Sequence, residues 1–148
     1  MHRFIRDIGS SQVKLDAGDK DISDETLRKI AKYIKSAGFY NQKSKYLYNL
    51  AKYFIENNLK GKNFEQLRKE LLKVKGVGPE TADSILLYAL EKPVFVIDEY
   101  TRRLAKKHGI SSNPDYNRLQ NLFENNINKD YRLYQDLHAL IVIDGKKK

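Results

Sequence analysis

Residues 73–90 read KVKGVGPETADSILLYAL, and only Lys75, Gly76, Val77 and Gly78 separate one amphipathic run from a helix that must open at Pro79. Proline is favoured at a first helical position, where its missing N–H costs nothing and its φ is already set. So tight a reversal calls for glycines, which reach backbone conformations and close approaches denied to other residues. Val77 is apolar and suits the space between the two helices. The centre of the chain is therefore committed to a helical hairpin. At the start of its second helix the peptide N–H groups lack intrahelical acceptors and point outward, where the helix dipole favours an anion. The hairpin can be a packing turn or a backbone clamp for a phosphate, and a glycine pair alone does not choose.

The rest of the chain repeats the helical period. Leu27, Ile30, Ala31 and Ile34 recur at i, i+3, i+4 and i+7, with Ser23 as candidate N-cap, acids at 24 and 25, and Gly38 just beyond. Leu47, Leu50, Ala51, Phe54 and Ile55 form a second stripe, ended by ENNLKGKN. Phe64, Leu67, Leu71 and Val74 mark a third helix, and Ala82, Ile85, Leu86 and Ala89 a fourth. A fifth ends at Gly109; Tyr116, Leu119, Phe123 and Ile127 define a sixth, and Leu133, Leu137, Leu140 and Ile141 a seventh. The run PVFVI at 93–97 is the one segment with strand character, and an isolated strand has nothing to pair with, so it reads as a buried loop. The expected class is all-α, a helical bundle built around the helix-hairpin-helix, with 1–21 unassigned, 22–146 as one domain and 147–148 as a basic tail.

Charge narrows the partner. The 148 residues carry 28 Lys and Arg against 19 Asp and Glu, a formal charge of +9, with 10 Tyr among them. A surface that basic suits a polyanionic partner, nucleic acid among them. No apolar run approaches the ~20 residues that span a bilayer, and the start MHRFIRDIGSSQ has no apolar signal core. The expectation is an intracellular monomer, cytoplasmic or nucleoid-associated. The absence of Cys removes disulfides, thiolate nucleophiles and a cysteine-held iron–sulfur cluster or zinc.

With a proline-started helix, an apolar residue between the glycines and a basic chain, the hairpin points to DNA. The stretch LLKVKGVGPETADSILLYALEKPVFVIDEYTRRL resembles the core of the helix-hairpin-helix DNA glycosylases related to endonuclease III. GFYNQKSKYLYNLAKYF upstream and DLHALIVIDGK downstream are similar to the family's flanking helices, so the resemblance runs over residues 22–146. It implies a base-excision glycosylase that hydrolyses the bond between a damaged base and its sugar. Asp98 falls at the family's catalytic aspartate, whose charge steadies the sugar cation as that bond breaks. Read from position alone, Asp98 is equally an N-cap for EYTRRLAKK. Lys75, Gly76, Val77, Gly78 and Arg102 would grip phosphate, and the family implies room for a monovalent cation at the hairpin carbonyls, with no other cofactor and no side-chain metal site.

Glu80 is the informative departure. Relatives that also cut the backbone carry there a lysine that forms an imine with the sugar, which a glutamate cannot do. The resemblance thus implies a monofunctional, water-using enzyme nearest the 3-methyladenine glycosylases of the endonuclease III type. Fewer residues precede GFYN than in the family, so its base-pocket helices are expected to be missing or replaced. The alternatives are a non-catalytic DNA-binding module and a lyase acting on abasic sites through another amine. Tyr40 and Tyr100 are candidates for base stacking but more simply core, and Asp136 and His138 on the last helix read as packed polar residues.

Overall fold

The computed structural model describes residues 24–110 and 115–147, all-α among those residues, with seven α-helices and no strand. Ser23, the segment 1–21 and Lys148 lie outside them. The chain divides into two compact units, residues 1–48 and 49–148.

In the first unit, α1 (Asp24–Tyr33) has Asp24 and Glu25 in its first turn and Lys32 in its last, matching the helix dipole at both ends. A 3-10 turn, Lys35–Ala37, leads through Gly38 (φ 65°) and Phe39 (φ 47°) into α2 (Tyr40–Glu56), whose later half belongs to the second unit.

The second unit contains the hairpin. Helix α3 (Phe64–Leu71) opens on a capping box in which Asn63 Oδ1 accepts from Gln66 N at 2.9 Å and Gln66 Oε1 from Asn63 N at 3.1 Å. After the turn, α4 (Pro79–Ser84) changes register and continues as a π-helix, Ile85–Ala89, with Leu90 N donating to Ile85 O. The expected fourth helix is present, but its period breaks at Ile85. Then come α5 (Glu99–Lys107), α6 (Tyr116–Asn126) and α7 (Tyr131–Lys146), capped by Asp98, Asp115 and Asp130 respectively. Helices α5 and α7 pack closely: a Cβ on Gly145 would collide with the Tyr100 ring.

PVFVI is a buried loop, as its isolation demands. Val94, Phe95, Val96 and Ile97 are each 1% exposed or less. A buried backbone without a strand partner must find other hydrogen bonds. Phe95 N donates to Glu124 Oε1 at 2.8 Å and Phe95 O accepts from Gln120 Nε2 at 2.8 Å, while the ring stacks on Phe123 with centroids 4.4 Å apart. Burial pushes the Glu124 carboxyl up from its ordinary range, against the pull of that amide.

The loop is tied to the hairpin through Asp83, a fully buried carboxylate on α4. Arg68 of α3 grips it with two hydrogen bonds; Tyr116 Oη and Gln120 Nε2, both on α6, donate to its Oδ2 at 2.8 Å each. Three helices and the 93–97 loop therefore share one acid. Around it the apolar core gathers Leu67, Leu71, Val77, Leu86, Ala105, Leu119, Tyr134 and Ile141. The sequence stripes ran wider than the core: Ile55, Leu133 and Leu140 are exposed.

Candidate functional site

Asp98 stands where the buried loop ends and α5 begins. Its backbone is extended and its side chain turns back over the first turn, Oδ1 accepting from Thr101 N at 2.8 Å and from Thr101 Oγ1 at 2.9 Å. The N-cap expected from EYTRRLAKK is thus formed. Capping uses only one carboxylate oxygen. Oδ2 faces His138 of α7, whose Nε2 lies 3.2 Å away, and the two side chains are 14% and 12% exposed. The other ring nitrogen, Nδ1, is 2.6 Å from the hydroxyl of Tyr88 in the π-helix.

Electrostatics follow from this packing. Burial alone would push the Asp98 carboxyl up, but the His138 imidazole and the Thr101 amide and hydroxyl outweigh it and hold the group at about 2. Asp98 is an anion at neutral pH. Glu80, on the first turn of α4, moves the other way: burial and then the Asp98 charge push it up, with Arg102 and His138 pulling against them and Glu99 adding to the rise. Tyr88 is likewise pushed up, by burial and by Asp98, and stays a neutral phenol. Glu80, Asp98, Arg102 and His138 therefore form one electrostatic neighbourhood drawn from three helices.

Arg102 is half-buried, its guanidinium 6.0 Å from the centroid of the Tyr116 ring, while Arg103 pairs with Glu99 at 3.0 Å. Tyr100 is partly buried against the core beneath Arg103, which fits packing better than stacking on a base.

The hairpin lies on the same helix as Glu80. Val77 is buried, 8% exposed, and its N–H closes the turn by donating to Val74 O at 3.0 Å. The two glycines differ. Gly76 has φ 97°, which only glycine adopts without strain, whereas Gly78 is extended at φ −94°, and a Cβ there would meet nothing within 4 Å. The fold demands a glycine at 76 and does not at 78. The Lys75 side chain is exposed, and its carbonyl accepts from Asn49 Nδ2 at 3.2 Å.

Among the described residues no backbone–backbone hydrogen bond to the carbonyls of Gly76 and Val77 is found outside the helices, which leaves these oxygens open to a further ligand. Two neutral oxygens are too few to hold a cation alone, and other oxygen ligands would have to complete its shell. No group of three or more acidic or histidine side chains suited to a metal is present among the described residues.

Sequence reasoning passed over two members of the site. Thr101 was legible as the third residue after an N-cap aspartate, the spacing at which a hydroxyl can join the cap. Tyr88 left no sequence signal, since its position depends on the π-helix. His138 is the packed, hydrogen-bonded residue that the sequence suggested, and it also faces Asp98, which the sequence did not reveal.

A family model described as HhH-GPD superfamily base excision DNA repair protein matches residues 4–129, beginning within the segment that periodicity left unassigned. A putative DNA repair glycosylase of Methanocaldococcus jannaschii is 43% identical over 127 residues, covering 80% of this chain and 58% of that protein. Endonuclease III of Sulfolobus acidocaldarius is 30% identical over 116 residues, 77% of this chain and 51% of that one. Among solved structures, the Helicobacter pylori 3-methyladenine DNA glycosylase MagIII bound to 1,N6-ethenoadenine superposes with a TM-score of 0.64 at 36% identity, covering 78% of this chain and 61% of that one. The chain spans between half and two thirds of the length of these relatives.

Proposed function

The chain belongs to the HhH-GPD superfamily of base excision DNA repair proteins, and from that premise we propose that it is a DNA glycosylase, monofunctional, acting on an alkylated purine in duplex DNA. The observation that carries the reading is Asp98: a carboxylate partly shielded from water, fixed at a helix N-cap and kept ionised down to about pH 2. A fixed anion steadies the positive charge that grows on C1′ as the glycosidic bond lengthens. The bonding electrons leave with the base. Water then attacks C1′, and its proton passes to the carboxylate or to solvent.

Such a carboxylate is a poor proton donor at neutral pH. A base that departs without being protonated suits it best, and a purine carrying a positive charge through N-alkylation leaves as a neutral molecule. This chemistry, Glu80 in place of an imine-forming lysine, and likeness to a 3-methyladenine glycosylase support the same substrate class. The hairpin would hold the duplex by its backbone: Gly76 and Gly78 offer amides, whereas the Val77 amide expected to join them already donates to Val74 O, and Lys75 and Arg102 offer positive charge to phosphate.

The test uses duplexes carrying an N-alkylated purine, an oxidised pyrimidine or an abasic site, incubated with and without alkali and with borohydride. Release of the alkylated purine, with strand breaks only after alkali, is the expected result. Borohydride-trapped protein would favour the lyase, and salt-sensitive duplex binding without release of any base would favour a binding module.

A further inference from the structure

We propose that Tyr88 and His138 form a relay that orients and ionises Asp98, which makes His138 a positioning residue for the reaction; this rests on Asp98 being the reactive carboxylate. Four observations meet here. Tyr88 Oη lies 2.6 Å from Nδ1, and Nε2 lies 3.2 Å from Asp98 Oδ2. Nε2 is buried with no other partner, and its N–H is not yet aligned on Oδ2 as a full hydrogen bond. The Tyr88 hydroxyl reaches the ring from a π-helix, a costly irregularity that recurs at functional sites. Thr101 already satisfies the cap through Oδ1, so capping does not require the histidine.

The protons sort themselves along this chain. In this relay Tyr88, a neutral phenol, donates its O–H to Nδ1 as acceptor. The single ring proton is left on Nε2, facing the carboxylate. His138 thus presents an N–H to Asp98 without needing a charge of its own. Burial holds that N–H without a competing acceptor, and hydrogen bonds that are loose in a free enzyme tighten when substrate closes the site. Aligned, the pair would fix the rotation of the carboxylate and keep it an anion. Among the other charged groups nearby, Glu80 carries the same sign as Asp98, and Arg102 lies near Glu80 and the Tyr116 ring.

The test compares the full chain with His138→Gln, His138→Leu and Tyr88→Phe by imidazole 15N and carboxyl 13C titration, and by single-turnover base release beside duplex Kd. In the wild type Nε2 should carry a proton and Nδ1 should be the acceptor. Tyr88→Phe should shift that proton toward Nδ1, and His138→Leu should raise the Asp98 midpoint. Base release should fall by about 10- to 100-fold in His138→Leu, as for groups that orient another catalytic side chain. Glutamine, whose amide can stand in for Nε2–H, should recover to within about 5-fold of wild type, with Kd changed by less than about 3-fold throughout. An unmoved Asp98 midpoint in His138→Leu, or equal loss in the glutamine and leucine variants, overturns the relay. Should His138→Leu fail to fold, the Tyr88→Phe tautomer shift decides. If the wild type releases no base from any duplex, the glycosylase reading fails, and the titrations still judge the relay.

Discussion

Arg68 and Asp83 form a two-point pair across the hairpin, Nε to Oδ1 at 2.6 Å and Nη2 to Oδ2 at 3.0 Å, with the carboxylate wholly buried and the arginine at the edge of solvent. The remaining acceptor capacity of Asp83 is filled by Tyr116 and Gln120, so the acid joins α3, α4 and α6. Removing one side of such a pair strands a charge in the interior. Arg68→Met should therefore destabilise the second unit by about 3–5 kcal/mol, and Arg68→Lys by less, because one point contact remains. Urea unfolding followed by circular dichroism measures both. A loss under about 1 kcal/mol for Arg68→Met would mean that the pair does not hold these helices together.

Acid should weaken the fold through Asp98. Its pKa falls from an ordinary 3.8 to about 2 on folding, so its contribution is fully present above the unfolded value and is lost as pH drops through the folded one. The contribution is on the order of 2 kcal/mol and should disappear between about pH 4 and pH 2. Asn is as good an N-cap as Asp, so Asp98→Asn keeps the helix start while deleting the titration. The gap in unfolding free energy between wild type and variant should be constant near neutrality and close over that window. A gap that persists unchanged to pH 2 would refute the link.

The glycines of the hairpin should separate in their effects. Gly76→Ala forces a side chain into φ 97° and should cost about 1–3 kcal/mol of stability. At Gly78 the backbone is extended and the space open, so Gly78→Ala should melt within a few degrees of wild type. If the turn meets a phosphate, the added methyl at 78 should nonetheless weaken binding to every duplex sequence alike. Fluorescence anisotropy against unrelated duplexes checks this, and undiminished affinity would leave the glycine a turn residue only.

The hairpin, the seven helices and the buried PVFVI loop were legible because each obeys a local rule: helical periodicity, a proline at a first position, and the inability of a lone strand to pair. Asp98 was legible twice, as a cap by its place before EYTRRLAKK and as a candidate carboxylate by resemblance. Neither the π-helix nor its consequence was. The i→i+5 register at Ile85 leaves ILLYA looking like ordinary α-helix, and Tyr88 and His138 stand 50 residues apart. The exposed Leu133 and Leu140 mislead for the converse reason, since periodicity marks an apolar face without saying what covers it. Gly78 looked like a conformational requirement and is not one; only its backbone angle could reveal that.

The central claim is that Asp98 carries base excision, and the most direct measurement is the single-turnover rate of base release from an N-alkylated-purine duplex by wild type and Asp98→Asn. Free purine is expected from the wild type and a rate at least about 100-fold lower from the variant, with duplex Kd changed only a few-fold. Equal rates from both proteins, or tight binding by the wild type with no purine released, would contradict it.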